Sequence, residues 1–196
     1  MYKFGTIIFG LLVVGTFQGS VTAQPSSYAG PSCMGEFCFN VRSMSMLMTE
    51  ASFVKKYGSG HRVGDAHCYK ISEKNLYVLF TVYHGEQKQI MDIFVSDEPS
   101  CPSTKPPKIP FKPLVTGEGL RIGDPYKKVI ALYGKPAIEE KADGTKKVGI
   151  AYQTQLNTAP FGDTRLRYLS AQDSPLGADI YLRKGKVSAI LISMYP

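Results

Sequence analysis

Two short stretches decide the fold of this chain: Thr49-Glu-Ala-Ser-Phe-Val-Lys-Lys-Tyr-Gly58 and Asp124-Pro-Tyr-Lys-Lys-Val-Ile-Ala-Leu-Tyr-Gly134. Each begins with a residue type that caps helices and ends in glycine, which closes a helix in the left-handed conformation. Apolar side chains recur at helical spacing in both, and the offset from Tyr57 to Tyr133 is 76 residues. The chain therefore predicts one kind of helix that occurs twice and packs through its aromatic stripe.

A β-hairpin is predicted after each helix, because apolar residues alternate there with a period of two. Further strand candidates precede each hairpin, and the segment Gln153–Leu176 is interpreted as an added strand pair or a long surface loop. The predicted fold class is α+β, with two tandem units that each pack a short helical layer on an antiparallel β-sheet. The predicted strands are Cys68–Ile71, Leu76–Tyr83, Ile90–Val95, Val148–Leu156, Leu166–Leu169, Ala178–Arg183 and Val187–Ile192.

The two units are separated by a segment rich in proline. Six prolines lie between Asp97 and Val115, and proline fixes φ and removes a backbone donor, which excludes helix and central strand. We interpret this segment as an extended, semi-rigid connector. The predicted organisation is a first unit over 33–100, stapled by disulfides, a linker over 101–115 and a second unit over 116–196.

The N-terminus predicts export. Residues 1–23 combine a positive charge at Lys3, an apolar run and the small-residue cleavage site Val21-Thr22-Ala23, which together are typical of a secretory signal peptide. The alternative is a retained transmembrane anchor, but about 14 apolar residues fall short of the ~20 that a span needs. We expect a secreted or periplasmic chain that begins at Gln24, with a flexible tail over 24–32 and no stable membrane anchor.

The charge balance is basic. The full chain has a net charge of +7, and loss of Lys3 with the signal peptide leaves +6. The basic residues are spread along the chain, so they favour a solvated surface over a dense nucleic-acid site. The alternative is attraction to an anionic partner, such as a membrane surface or an acidic protein.

The four cysteines predict disulfides. Cys33, Cys38, Cys68 and Cys101 all lie in or beside the first unit, and an even count in an exported chain favours pairing. Three pairings are open, and we favour Cys68–Cys101 with a local Cys33–Cys38 bridge. A unit of about 70 residues has a marginal core, which such staples support.

The stretch Gly119–Pro136 resembles the opening motif of small bacterial envelope proteins. It has a glycine, a short polar turn, a helix with Val129 near its middle, and Tyr133 before Gly-x-Pro. This motif is similar to that of the SmpA/OmlA-type outer-membrane assembly lipoproteins and of the tandem-repeat β-lactamase inhibitory protein. The resemblance implies a helical layer on an antiparallel sheet that serves protein–protein contact. The chain lacks the lipoprotein cysteine and the inhibitor's contact loops, so neither a lipid anchor nor β-lactamase inhibition is carried over.

The candidate binding surface is the sheet face that points away from the helices. If the apolar set Leu76, Val78, Phe80 and Val82 faces the helix, a period of two places the intervening residues on the opposite face. The alternative is that this face is covered by the partner unit or by the N-terminal tail. Tyrosine and arginine are favoured at binding hot spots. The candidate protein-binding residues are Tyr77, Leu79, Tyr83, Tyr181 and Arg183.

The leading hypothesis is an exported, non-catalytic protein-binding module, an inhibitor or an envelope assembly factor, without a cofactor or a metal. Its partner would be another envelope or extracellular protein. The alternative is a secreted hydrolase or metal-dependent enzyme that uses His61, His67 and His84. The sequence has no Gly-x-Ser-x-Gly elbow, phosphate loop or dinucleotide fingerprint. The adjacent pair His67-Cys68 is poorly spaced for a tetrahedral metal site.

Overall fold

The computed structural model shows an antiparallel sheet with two short helices on one face. It describes residues 28–40, 45–46, 48–71, 74–84, 88–99, 105–142, 161–169 and 176–194. The predicted signal peptide and the strand predicted at 148–156 lie outside these residues. The helices are α1 (Glu50–Tyr57) and α2 (Tyr126–Tyr133). The strands are β1 (Cys33–Met34), β2 (Phe37–Asn40), β3 (Ser45–Met46), β4 (His61–Val63), β5 (Ala66–Ile71), β6 (Leu76–His84), β7 (Lys88–Ser96), β8 (Ile138–Lys141), β9 (Thr164–Leu169), β10 (Leu176–Arg183) and β11 (Lys186–Met194).

Eight strands form one continuous sheet in the order β4-β5-β6-β7-β11-β10-β9-β8. The seam is the antiparallel pair of β7 with β11, in which Ile93 lies opposite Ile192. Each half of the chain thus contributes four consecutive strands, and its last strand lies at the centre of the sheet. The strands β4–β7 of the predicted first unit and the strands β8–β11 of the predicted second unit thus belong to a single sheet.

Local side-chain and backbone hydrogen bonds explain where the two helices begin. The Thr49 side chain accepts a hydrogen bond from the Ser52 amide at 3.3 Å, as predicted for the α1 cap. Pro125, and not Asp124, occupies the cap position of α2, and it makes no side-chain hydrogen bond. Asp124 instead accepts from the Arg121 amide and from Lys128 Nζ, each at 2.8 Å.

The main core lies between the helices and the sheet. Phe53 and Tyr57 from α1 and Val129 and Tyr133 from α2 are buried in one cluster with the inward side chains of the strands. Phe80 on β6 is at its aromatic centre, because its ring contacts those of four neighbours. Those neighbours are Phe37, Phe53, Tyr69 and Phe111, at centroid distances of 4.6–6.2 Å. The aromatic and apolar residues that recur at helical spacing in the sequence are therefore the ones that pack the helices onto the sheet.

The N-terminal segment is stapled and packed. Cys33 and Cys38 face each other across β1 and β2 and form a disulfide, as predicted. Met34, immediately before the turn into β2, is completely buried in the main core. Cys68 is also disulfide-bonded, and Cys101, its favoured partner, lies outside the described residues. Within the predicted flexible tail, Gly30 and Pro31 are buried.

The proline-rich segment lies against the first half of the chain. The Lys70 amide donates to the carbonyl of Lys105 at 3.1 Å, and the Lys108 amide donates to the carbonyl of Tyr57 at 2.8 Å. Farther along, Leu114 is buried in the main core. Residues 105–114, most of the predicted linker, are therefore held by hydrogen bonds and by apolar contacts.

The described residues form mostly antiparallel strands with two helices packed on the sheet, so the fold class is α+β or mostly β. The description as two tandem units stays a prediction. Among the described residues, neither eight-residue helix is long and apolar enough to cross a membrane.

Candidate functional site

The sheet face opposite the helices, called the far face here, carries a second apolar cluster. Three of the predicted binding residues, Tyr77, Leu79 and Tyr181, belong to this cluster. Leu79 and Tyr181 are fully buried, and Tyr77 is 9% exposed. The alternation with a period of two therefore predicted correctly that these three residues share one face of the sheet. The sequence analysis also expected this face to be exposed to solvent, whereas in the structure these three side chains are buried. Phe161 is one reason, because its ring packs on those of Phe94 and Tyr181 at 4.7 and 6.1 Å.

The other two predicted binding residues are accessible. Tyr83 lies near the end of β6 and is 51% exposed. Arg183 is half-buried and forms ion pairs with Asp97 and Glu98 at 3.3 and 3.0 Å. Its guanidinium also donates to the carbonyl of Phe161 at 3.3 Å. Arg183 therefore joins the end of β10 to the start of the proline-rich segment.

Two of the three candidate histidines lie on opposite faces of the sheet. His61 pairs with Cys68 and shares the far face with it, whereas His67 is the next position on β5 and faces α1. An enzyme site in which all three histidines converge would need these two rings on one face. The side chain of His84 lies outside what the structure describes.

His67 forms a buried contact with α1. Its Nε2 lies 2.9 Å from Glu50 Oε1, and its Nδ1 lies 2.8 Å from the carbonyl of Ser59. Burial raises the pKa of Glu50, but the hydrogen bond to His67 and the charges of Arg62, His67 and Lys88 outweigh burial, so its pKa is lowered overall. Both ring nitrogens of His67 thus lie within hydrogen-bond distance of an oxygen atom. The arrangement fixes α1 to β5.

No group of three or more His, Cys, Asp or Glu side chains able to hold a metal occurs in the part of the chain that the structure describes.

The far face of the second half carries an ion-pair network. Asp179 on β10 is almost fully buried and accepts from Arg167 Nε and Nη2 at 2.8 and 3.0 Å. Arg165 lies between two carboxylates, with Nη1 at 3.8 Å from Asp179 Oδ2 and Nη2 bonded to Glu140. Asp179 thus holds Arg167 in a fixed orientation, because a guanidinium matches a carboxylate in a planar, two-bond geometry, and Arg165 lies between Asp179 and Glu140.

Next to this network is the exposed Ile138–Leu169 patch, which we define as Ile138, Arg167 and Leu169. Ile138 lies opposite Arg167 in the β8–β9 register, and Leu169 is two positions farther along β9 on the same face. Ile138 is 41% exposed and Leu169 is 44% exposed, and the Arg167 side chain is one quarter exposed. The described residues contain only two other exposed large hydrophobic side chains, Tyr83 and Ile109. The patch therefore joins two apolar side chains to a preorganised arginine.

A single carboxyl lies near the centre of the far face. Asp92 on β7 pairs with Thr81 of β6 and with Ser193 of β11. Burial raises the pKa of Asp92 to about 6, although hydrogen bonds from Ser193 and Thr81 act in the opposite direction. The seam between the two halves therefore contains an acid that is partly protonated near neutral pH.

We expect Asp92→Asn to change the pH dependence of stability. Because the pKa of Asp92 is higher in the folded chain than in the unfolded chain, its carboxyl group stabilises the folded chain fully when the pH is below its pKa in the unfolded chain. That stabilisation is lost as the pH rises through about 6. Relative to wild type, the variant should therefore gain about 2–3 kcal/mol in unfolding free energy between pH 4 and pH 8. Denaturant titrations at several pH values measure this. The matched control is Glu139→Gln on the exposed surface of β8, and an Asp92 variant with the wild-type pH profile would contradict the expectation.

Sequence reasoning missed the residues of the patch and of the network. Arg165 and Arg167 are two apart in a strand and so share a face, which was a usable signal for a charged sheet face. The pairing of Asp179 with these arginines depends on the β9–β10 register, which alternation within one strand does not give. No signal marked Phe161, because it lies in the stretch interpreted as an added strand pair or a surface loop.

Comparison with protein-family models, with curated proteins and with solved structures gives no match for this chain.

Proposed function

We propose that this chain is an exported, non-catalytic module that binds another envelope or extracellular protein through the Ile138–Leu169 patch. The observation that carries the proposal is the pairing of exposed Ile138 and Leu169 with Arg167, whose guanidinium is held by two bonds to Asp179. Binding hot spots are enriched in arginine, and neighbouring apolar contacts exclude water around them.

The fixed geometry of Arg167 supports the same proposal. A free arginine loses much side-chain entropy when a partner immobilises it, whereas Arg167 is already held by Asp179. The apolar side chains sit on paired strands, β8 and β9, so they also lose little freedom. Such preorganisation favours affinity without a large contact area.

The proposed binding site differs from the one predicted from the sequence: it lies on β8 and β9 at one end of the far face and not at the centre of that face. Tyr77, Leu79 and Tyr181 support the far face from within, whereas Ile138 and Leu169 are exposed at its β8–β9 end. The likeness of Gly119–Pro136 to the SmpA/OmlA-type proteins agrees with a binding role, and it remains part of the proposal.

The test compares two double variants of the mature chain. Ile138→Asp/Leu169→Asp changes the patch, and Tyr83→Asp/Ile109→Asp changes the other two exposed hydrophobic side chains as a matched control. Each protein is immobilised and exposed to envelope or secreted proteins of the producing organism, and captured proteins are quantified against wild type.

We expect at least one captured protein to be lost from the patch variant by about tenfold or more and kept by the control. Thermal melts should be the same for both variants and wild type, since all four substituted residues are exposed. Equal capture by the patch variant and the control would contradict the proposal.

A further inference from the structure

A pocket of about 350 Å³ lies between the end of β5 and the proline-rich segment. This volume is within the range of small-molecule sites, which begin at about 300 Å³. The pocket shares no residue with the Ile138–Leu169 patch. The lining residues are Lys70, Ile71, Lys74, Pro106, Pro107, Pro110, Phe111, Lys112, Pro113 and Leu114.

The pocket has stiff walls. Its four prolines have fixed φ angles, and hydrogen bonds tie the segment to β5 and to the end of α1. At the other end the Gly35 amide donates to the carbonyl of Val115 at 2.8 Å. Gly35 has a φ of 60°, and a Cβ there would lie 3.0 Å from the carbonyl oxygen of Pro113. The backbone that forms the walls of the pocket is therefore fixed in place by hydrogen bonds and by the proline rings.

The floor of the pocket is aromatic. Phe111 is half-buried, and its ring packs against those of Phe37, Tyr57 and Tyr69 at 4.9–5.6 Å. Leu114 beside it is buried in the main core. An aromatic ligand on this floor would gain from ring–ring geometry in addition to the apolar area that it buries.

The rim of the pocket is basic. Three of the ten lining residues are lysines, and none of these ten is Asp or Glu. Lys70 Nζ lies 5.5 Å from the centroid of the Tyr77 ring, while Lys74 and Lys112 are exposed. An apolar site with cations at its opening favours an apolar molecule with one negative charge, since the charge can remain in water beside the lysines.

We propose that this pocket is a binding site for a small aromatic organic anion, such as an aromatic carboxylate or sulfonate. The aromatic body lies on Phe111 between the proline rings, and the anionic group lies beside Lys74 and Lys112. This gives the proline-rich segment a role in ligand binding in addition to its role as a connection.

The test uses two dyes of the same shape. 1-Anilinonaphthalene-8-sulfonate carries the negative charge, and N-phenyl-1-naphthylamine lacks it. Fluorescence titration of the mature chain should give a Kd of about 10–100 µM for the sulfonate, which is usual for a ligand of this size. Added salt should weaken binding of the sulfonate and leave the neutral dye unchanged.

Lys74→Gln/Lys112→Gln should weaken sulfonate binding about three- to tenfold and leave the neutral dye unchanged. The matched control, Lys55→Gln/Lys127→Gln, removes two exposed lysines on the helices and should bind both dyes like wild type. Amide chemical shifts induced by the sulfonate should concentrate in Lys70, Ile71, Lys74 and residues 105–114. Equal weakening by both double variants, shifts elsewhere, or no binding because another segment of the chain fills the pocket would each overturn the proposal.

Discussion

Tyr181→Ala should lower the free energy of unfolding by about 3–5 kcal/mol, the usual cost of truncating a buried aromatic side chain to alanine. Tyr181 is fully buried and packs against Phe94 and Phe161 on the far face. Its removal leaves a cavity next to the central strands, where neighbouring side chains cannot collapse freely. Urea denaturation of the purified protein measures the effect.

The control for this experiment is Tyr83→Ala, which removes the same side chain from an exposed position of the predicted binding set. Since Tyr83 is 51% exposed, the variant should stay within about 0.5 kcal/mol of wild type. Tyr133→Ala, on the helix side of the sheet, should match Tyr181→Ala. If Tyr181→Ala behaved like Tyr83→Ala, the far-face cluster would not contribute to stability.

Asp179→Asn should destabilise the chain by about 3 kcal/mol. The substitution removes one partner of a buried ion pair and leaves Arg167 without its carboxylate, while Arg165 keeps Glu140; breaking such a pair usually costs about 3–5 kcal/mol. We expect a loss of unfolding free energy at the lower end of this range, because one quarter of the Arg167 side chain is in contact with solvent, which compensates part of its charge. Chemical denaturation at pH 7 measures the difference.

A double variant separates the ion pair from the packing around it. Asp179→Leu/Arg167→Met replaces both charges by apolar groups, and such replacements are often close to neutral. It should therefore be more stable than Asp179→Asn by at least about 1 kcal/mol. A double variant less stable than the single one would show that the site depends on volume and not on charge.

The sequence predicted those parts of the fold that depend on local chemistry. The Thr49 cap, Gly58 and Gly134 set the helix ends. Between the predicted strands Ala178–Arg183 and Val187–Ile192, the chain turns at Lys184 and Gly185 with φ angles of 50° and 73°, as a two-residue hairpin requires. The Cys33–Cys38 bridge followed from its short separation. Residues four apart in α1, Phe53 and Tyr57, share the buried side because helical spacing gives them one face.

The remaining features depend on contacts between distant segments. Strand β8 reads Ile-Glu-Glu-Lys, which has no apolar alternation, and it exists because it pairs with β9. The burial of Leu79 and Tyr181 could not be predicted, since alternation tells which residues share a face and not what covers that face. The pocket escaped prediction because prolines indicate where a chain is extended but not against what it lies.

The seam between β7 and β11 determines when the protein can finish folding. The bond between Ser193 and Asp92 joins residues 101 positions apart, so β7 is made long before its partner. Until residues 186–194 are available, β7 has an unpaired edge, and Ile93, Phe94 and Val95, all fully buried in the finished sheet, lie along it. Such distant pairing slows folding and exposes the intermediate to aggregation. We therefore expect β11 to pair late in folding, and a fragment that ends before residue 186 should expose the unpaired edge of β7 and aggregate.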